Sequence, residues 1–268
     1  MSFRPFHEIV LWMGLVFFHP TSLSAEPPQA PAFSFDDTLV APLRVHLLVS
    51  KSEPALCTTL AETDIRRIVG KVNKVWGQAG ICFAVESIIS EEPAESSVEV
   101  PEKDGDLRAL VKFIPRETHA AELFNVYYIK SFGVNGVYFR EGVFVKDTAA
   151  LRKVEGGIDE PLPRVTSHEL GHALGLPHRQ DTFNLMASGT TGTLLNTAEV
   201  ESTRAKAGTL PWIKRASDLL AMADGLAIQG KGEEARAIYR QLSGIAVEGE
   251  TMARIRALLA TDTVKSQD

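Results

Sequence analysis

His168, Glu169, His172, Gly175 and His178 are the residues whose types and spacing can do chemistry. His168 and His172 are four apart, so on an α-helix both rings project from one face and can grip a single ion. Gly175 is free to adopt a positive φ, end the helix and turn the chain. That reversal returns His178 towards the other two rings, and Pro177 stiffens the turn and keeps the helix from resuming. Neutral imidazoles are good ligands for Zn²⁺, and a catalytic zinc site offers three protein ligands and one position left for water. Glu169, directly after the first histidine, is then placed to act on that water as general base. With 7 His and 20 Gly in 268 residues, an accidental match to all five positions is on the order of 10⁻⁵ to 10⁻⁴. Chance is therefore set aside.

The extended pattern HExxHxxGxxH, with Asn184-Leu185-Met186-Ala187-Ser188-Gly189 a few residues later, resembles the signature of the metzincin clan of zinc peptidases. The resemblance implies an α+β zincin fold: a twisted mixed sheet backed by a long helix, an active-site zinc helix and a Met-turn. It implies zinc on His168, His172 and His178, with Gly175 and Met186 as structural supports. In the family that methionine is an apolar floor beneath the metal and not a ligand. The implied activity is hydrolysis of peptide bonds by zinc-activated water with Glu169 as the base. Residues 189–196, rich in Gly and Thr, stand where the family builds the outer wall of the pocket for the side chain after the cleaved bond. Metzincins also carry an antiparallel edge strand above the cleft, to which an extended peptide adds by strand pairing. The resemblance spans 43–186 and is specific only over 168–189. Arg179 does not match the residue that marks the familiar subfamilies, and no tyrosine follows Met186 closely, so the subfamily stays open.

Several elements must position these residues. Residues 43–49 form a nearly continuous apolar and β-branched run, as expected for an interior strand. His46 within it reads as a structural histidine. From Ile65 to Trp76 the apolar residues Ile65, Ile68, Val69, Val72, Val75 and Trp76 recur at helical spacing behind a Thr63-Asp64 start. Residues 81–85 read as the next strand, and 91–106, acidic with two prolines, as an exposed loop. Residues 107–113 fit helix or strand, and His119 reads as a surface residue. Strands follow at 126–129, 137–139 and 142–145, with Asn135-Gly136 as a turn. Val137, Tyr138 and Phe139 are the favoured substrate-edge strand and 143–145 the alternative. The zinc helix is expected to begin at Thr166 or Ser167, with Pro161 and Pro163 holding the approach extended.

From Leu210 the composition changes to amphipathic helical segments at 212–228, 233–242 and 250–260. The stretch 232–239 distantly resembles the second helix of a tetratricopeptide repeat, but such repeats need at least three copies. A helical extension docked on the core, or an interaction hairpin for a protein partner, is expected instead. The division is thus 1–25 signal peptide, 26–42 lead-in, 43–209 catalytic domain and 210–268 helical extension.

The signal-peptide reading rests on Arg4 ahead of an apolar run from Ile9 to Phe18, with small residues up to Ala25. Ten apolar residues are about half of what a bilayer-spanning helix needs, so cleavage is favoured over an anchor. The expected location is secreted or periplasmic, with no membrane contact after cleavage. Export makes a Cys57–Cys82 disulfide the leading reading, with two free thiols or a Cys57 latency cap on zinc as alternatives. A formal net charge of −6 gives nucleic-acid binding no electrostatic support. The leading function is an exported zinc endopeptidase acting on a peptide or protein substrate. The alternatives are a catalytically silent zinc-binding protein that uses cleft or tail, and a zinc hydrolase of a non-peptide amide.

Overall fold

The computed structural model describes residues 33–95, 99–102 and 104–260. The expected signal peptide and the first part of the lead-in, 26–32, lie outside them, and β1 already begins within the rest of the expected lead-in, at Leu39. Strands β1 (Leu39–Leu48), β2 (Ile81–Glu91), β3 (Phe124–Ile129), β4 (Gly136–Phe139) and β5 (Gly142–Lys146) form one sheet in the order β2-β1-β3-β5-β4. β1 runs parallel to β2 and β3, and β3 parallel to β5, while β4 is antiparallel to β5. A two-residue strand, β6 (Lys214–Arg215), pairs antiparallel with the start of β1. The fold is α+β, built on a mixed sheet.

Strand side chains alternate between faces, and here both faces are covered. Ala41, Leu43, Val45 and Leu47 of β1, Val126 and Tyr128 of β3, and Val143 and Val145 of β5 join the main core. That core packs against α1 (Glu62–Trp76) and α2 (Pro161–Ala173) through residues such as Ile68, Val72, Trp76, Val165 and Leu170. Burying each of these large side chains stabilises the fold by about 1.5–3 kcal/mol. α1 is fixed against β2 by Asn73, whose side chain donates to Phe83 O (3.0 Å) and accepts from Phe83 N (2.8 Å).

The intervening residues point the other way. Tyr127, Ile129, Phe144 and Leu48 pack beneath the 3₁₀ segment Leu107–Phe113, which resolves the open helix-or-strand reading of that stretch. Val40, Cys82 and Ala84 are covered by α4 (Ala216–Ile228), α5 (Gly232–Leu242) and α6 (Glu250–Ala260), which follow α3 (Thr197–Gly208). The C-terminal helices are therefore docked on the sheet, and β6 leads straight into α4. Among the described residues no helix is long and apolar enough to cross a membrane.

Three expectations need correction. α2 begins at Pro161, five residues before Thr166, with Pro161 in its first turn and Glu160 as N-cap. The first N–H groups of a helix have no partner within it, so proline there loses nothing and its φ suits the helix. The cysteines are free. Cys57 Sγ donates to Ser50 O (3.0 Å) just beyond the end of β1, whereas Cys82 pairs in register with Val40 at its start. At roughly 3.3 Å per strand residue the two thiols stand about 30 Å apart, far beyond disulfide reach. His119 is half-buried, with Nδ1 3.0 Å from Tyr127 Oη, and burial holds it below the ordinary imidazole range.

Candidate metal centre and cleft

α2 carries His168, Glu169 and His172, while Leu162, Val165 and Leu170 on the same helix anchor it in the main core. Ion pairs from Lys71 of α1 to Asp159 (2.8 Å) and Glu160 (2.9 Å) tether its start. Its end is a Schellman motif. Leu176 N–H donates to Gly171 O and Gly175 N–H to His172 O, both at 2.9 Å, with Gly175 at φ 87°. This closure reverses the chain and delivers His178 to the other rings.

The three Nε2 atoms converge: His172 lies 3.2 Å from His168 and 3.1 Å from His178. The ring orientations follow from their other nitrogens. His168 Nδ1 donates to Leu185 O and His172 Nδ1 to Leu176 O, each at 2.8 Å. With Nδ1 carrying the proton, the Nε2 atoms of His168 and His172 present bare lone pairs to the common centre. Burial holds His168 down at about 3 and also depresses His172, so both are neutral at pH 7. Such lone pairs repel one another unless a cation sits between them. Tetrahedral nitrogen ligands about 2.0–2.1 Å from zinc stand about 3.3–3.4 Å apart, close to the spacing found. The donor set fits a zinc ion, and no carboxylate or thiolate belongs to it among the described residues.

Glu169 is 6% exposed. Burial pushes its carboxyl up to about 8, against the opposing pull of the Arg164 charge and the Tyr138 backbone N–H. That N–H belongs to β4, the edge strand of the sheet; β5 is interior, paired on both sides. β4 can lie this close because of Gly136, where any Cβ would stand 2.6 Å from Val165 Cγ1 and 2.9 Å from Glu169 Oε1. Gly136, Val137 and Tyr138 form one wall of a cleft of about 490 Å³, opposite Glu169, His172 and the 175–178 turn. Phe139 is not in that wall; it turns to the opposite face and meets Phe144 edge-on, ring centroids 6.2 Å apart.

Met186 is fully buried, its Sδ against Gly171 in the turn of α2 between the first two histidines. Two residues not singled out from the sequence hold this segment. Arg164, 2% exposed, donates from Nε to Gly192 O (3.1 Å) and from Nη2 to the carbonyl of Ala187. Glu199, 1% exposed, accepts from Arg179 Nε (2.7 Å), Asn184 Nδ2 (2.8 Å) and Asn196 N–H (2.9 Å). It thereby joins the residue after His178, the Met-turn and the start of α3. Asn196 and Glu199 have capping-box spacing, a signal that was there to be read. Arg164 offered only a charge on an otherwise apolar helix face. His46 lies apart from the cluster, its Nδ1 2.5 Å from Glu91 Oε1 and its Nε2 3.1 Å from Asn125 Oδ1.

No protein-family model matches the chain, and no curated protein matches it in sequence. Among solved structures, it is similar to mature mirolysin from Tannerella forsythia, in complex with a cleaved peptide, at 15% identity and a TM-score of 0.46. That match covers 62% of this chain and 90% of mirolysin. Archaemetzincin from Methanopyrus kandleri gives 15% identity and a TM-score of 0.42, covering 63% and 96% of the two chains. Metalloproteinase-II from Bacteroides fragilis gives 14% and 0.40, covering 62% and 53%.

Proposed function

We propose that this protein is a zinc-dependent endopeptidase of the metzincin type, exported from the cytoplasm. One observation carries the reading: three imidazole Nε2 atoms converge beside a buried carboxylate at the exposed edge of a sheet. His168, His172 and His178 would hold the zinc, and an imidazole ligand brings no charge of its own, so the ion would keep its full charge. Bound there, zinc supplies Lewis acidity that polarises a peptide carbonyl and acidifies water.

The chain's own residues do the rest. Glu169 takes a proton from water at its carboxylate and returns it to the departing amine nitrogen. Its buried setting makes it a strong proton acceptor, and a neighbouring dication favours its ionised form. β4 offers the outer edge of its backbone, apart from the Tyr138 N–H that Glu169 holds, to an extended peptide, which would pair as an added strand along Val137 and Tyr138. Residues 43–209 are the catalytic unit in this reading, and 210–268 an extension that shields the second face of the sheet. Export is inferred from the charged and apolar pattern of residues 1–25.

The test is digestion of a mixed peptide library by the purified protein. Internal peptide bonds are expected to be cut, with activity lost on chelation and restored by added Zn²⁺. Zinc retained at the site with no peptide cut would instead favour a binding protein or a hydrolase of another amide.

A further inference from the structure

A second pocket, of about 390 Å³, opens at the far end of β4. It adjoins the cleft: Tyr138 lines both, and Lys206 of α3 lies with its Cγ 4.0 Å from where a Cβ on Gly175 would be. Its apolar wall is Leu210 with the edge-to-face pair Phe124–Trp212, centroids 4.8 Å apart. Lys206 and Arg140 supply its charge, and both are exposed. Neither forms an ion pair among the described residues, whereas Arg44, Lys71, Arg108 and Arg179 each do. The acid that faces them is Glu141, whose Oε1 is held by Arg108 at 2.5 Å and whose Oε2 is buried without a partner. His119 completes the charged or titratable lining.

We propose that this pocket is a substrate subsite that takes an acidic side chain of the bound peptide, with glutamate the best fit. The inference rests on the peptidase reading above. Glutamate has an apolar stem for the Leu210–Trp212 wall and a carboxylate for Lys206 and Arg140. The position follows from strand geometry. Gly136 sits beside Glu169, and Tyr138 of β4 and Arg140 just past its end reach the pocket two and four residues further along the chain. A paired strand advances at the same rate of roughly 3.3 Å per residue, so the acidic residue falls two to four positions from the cleaved bond. The protein's overall charge of −6 repels acidic substrates at long range, which makes a local cationic pair the means of selecting them.

The experiment uses the full zinc-loaded chain and a capped peptide of one cleavable sequence, with Glu, Gln or Lys placed at each position in turn. At one position two to four residues from the bond, kcat/KM for Glu is expected to exceed that for Gln by about ten-fold, and that for Lys by more. In the double variant Lys206→Glu/Arg140→Glu the Glu-to-Lys ratio is expected to invert. The ratio is taken within each protein, so a general change in activity cancels. Cleavage with no charge preference in the wild type, or a preference that survives the double reversal, overturns the subsite and leaves the peptidase reading intact. Failure to cut any peptide of the series overturns both.

Discussion

Glu169→Gln is expected to lower kcat for peptide hydrolysis by about 10²- to 10⁴-fold, the usual contribution of a positioned general base. The substitution keeps the volume of a side chain that is 6% exposed and still offers an oxygen to the Tyr138 N–H. It removes only the capacity to take up a proton. KM should stay within about two-fold, because the shape of the cleft and the proposed β4 docking edge are unchanged. The metal should stay too, since Glu169 is not one of the three converging ligands. Steady-state kinetics beside metal analysis of the same sample checks this. Full turnover in a metal-loaded Glu169→Gln protein would remove the residue from its assigned role.

The second large effect is expected at a residue that touches neither metal nor substrate. Glu199→Ala should weaken zinc binding by about 10- to 100-fold, as loss of the outer partners of a metal site does elsewhere. The carboxylate fixes Arg179, next to His178, and Asn184, whose Oδ1 accepts from Met186 N–H at 2.7 Å. Without it, the third imidazole loses the anchor of its neighbouring residue and the Met-turn loses a buried acceptor. Leaving the Asn184 donor unsatisfied also costs about 1–3 kcal/mol of stability. Glu199→Gln should fall between the two, because one amide oxygen remains while the new NH₂ faces other donors. Competition against a chromophoric chelator measures the affinity; equal affinity in the wild type and Glu199→Ala would show that the brace is irrelevant to the site.

Much of the site could be read from the chain because its chemistry is written in local spacing. Two histidines four positions apart on a helix, and a glycine able to take φ 87° three residues later, need no knowledge of the rest of the fold. The same holds for α1, whose apolar residues mark one face; the Asn135-Gly136 turn expectation failed, because Gly136 is already the first residue of β4 and the hairpin turn comes at 140–141. What escaped was decided by distant parts of the chain. Arg164 acts on carbonyls 23 and 28 residues away, and Glu199, beyond its legible capping-box partner Asn196, binds Arg179 and Asn184, 20 and 15 residues away, which no local pattern encodes. The disulfide expectation failed because pairing two cysteines requires knowing which end of β1 each one lies at. The C-terminal segments declared apolar faces but not their partner, which proved to be the alternate residues of β1 and β2. The early start of α2 was hidden because proline signals opposite things in a helix interior and in a first turn.

X-ray absorption at the zinc edge, on the full chain reconstituted with Zn²⁺ and freed of excess metal, tests the central claim most directly. Stoichiometric zinc is expected, with three imidazole nitrogens at about 2.0–2.1 Å, a light atom as the remaining ligand and no sulfur. Zinc bound through a thiolate, or stoichiometric binding that persists unchanged in His172→Ala, would contradict it.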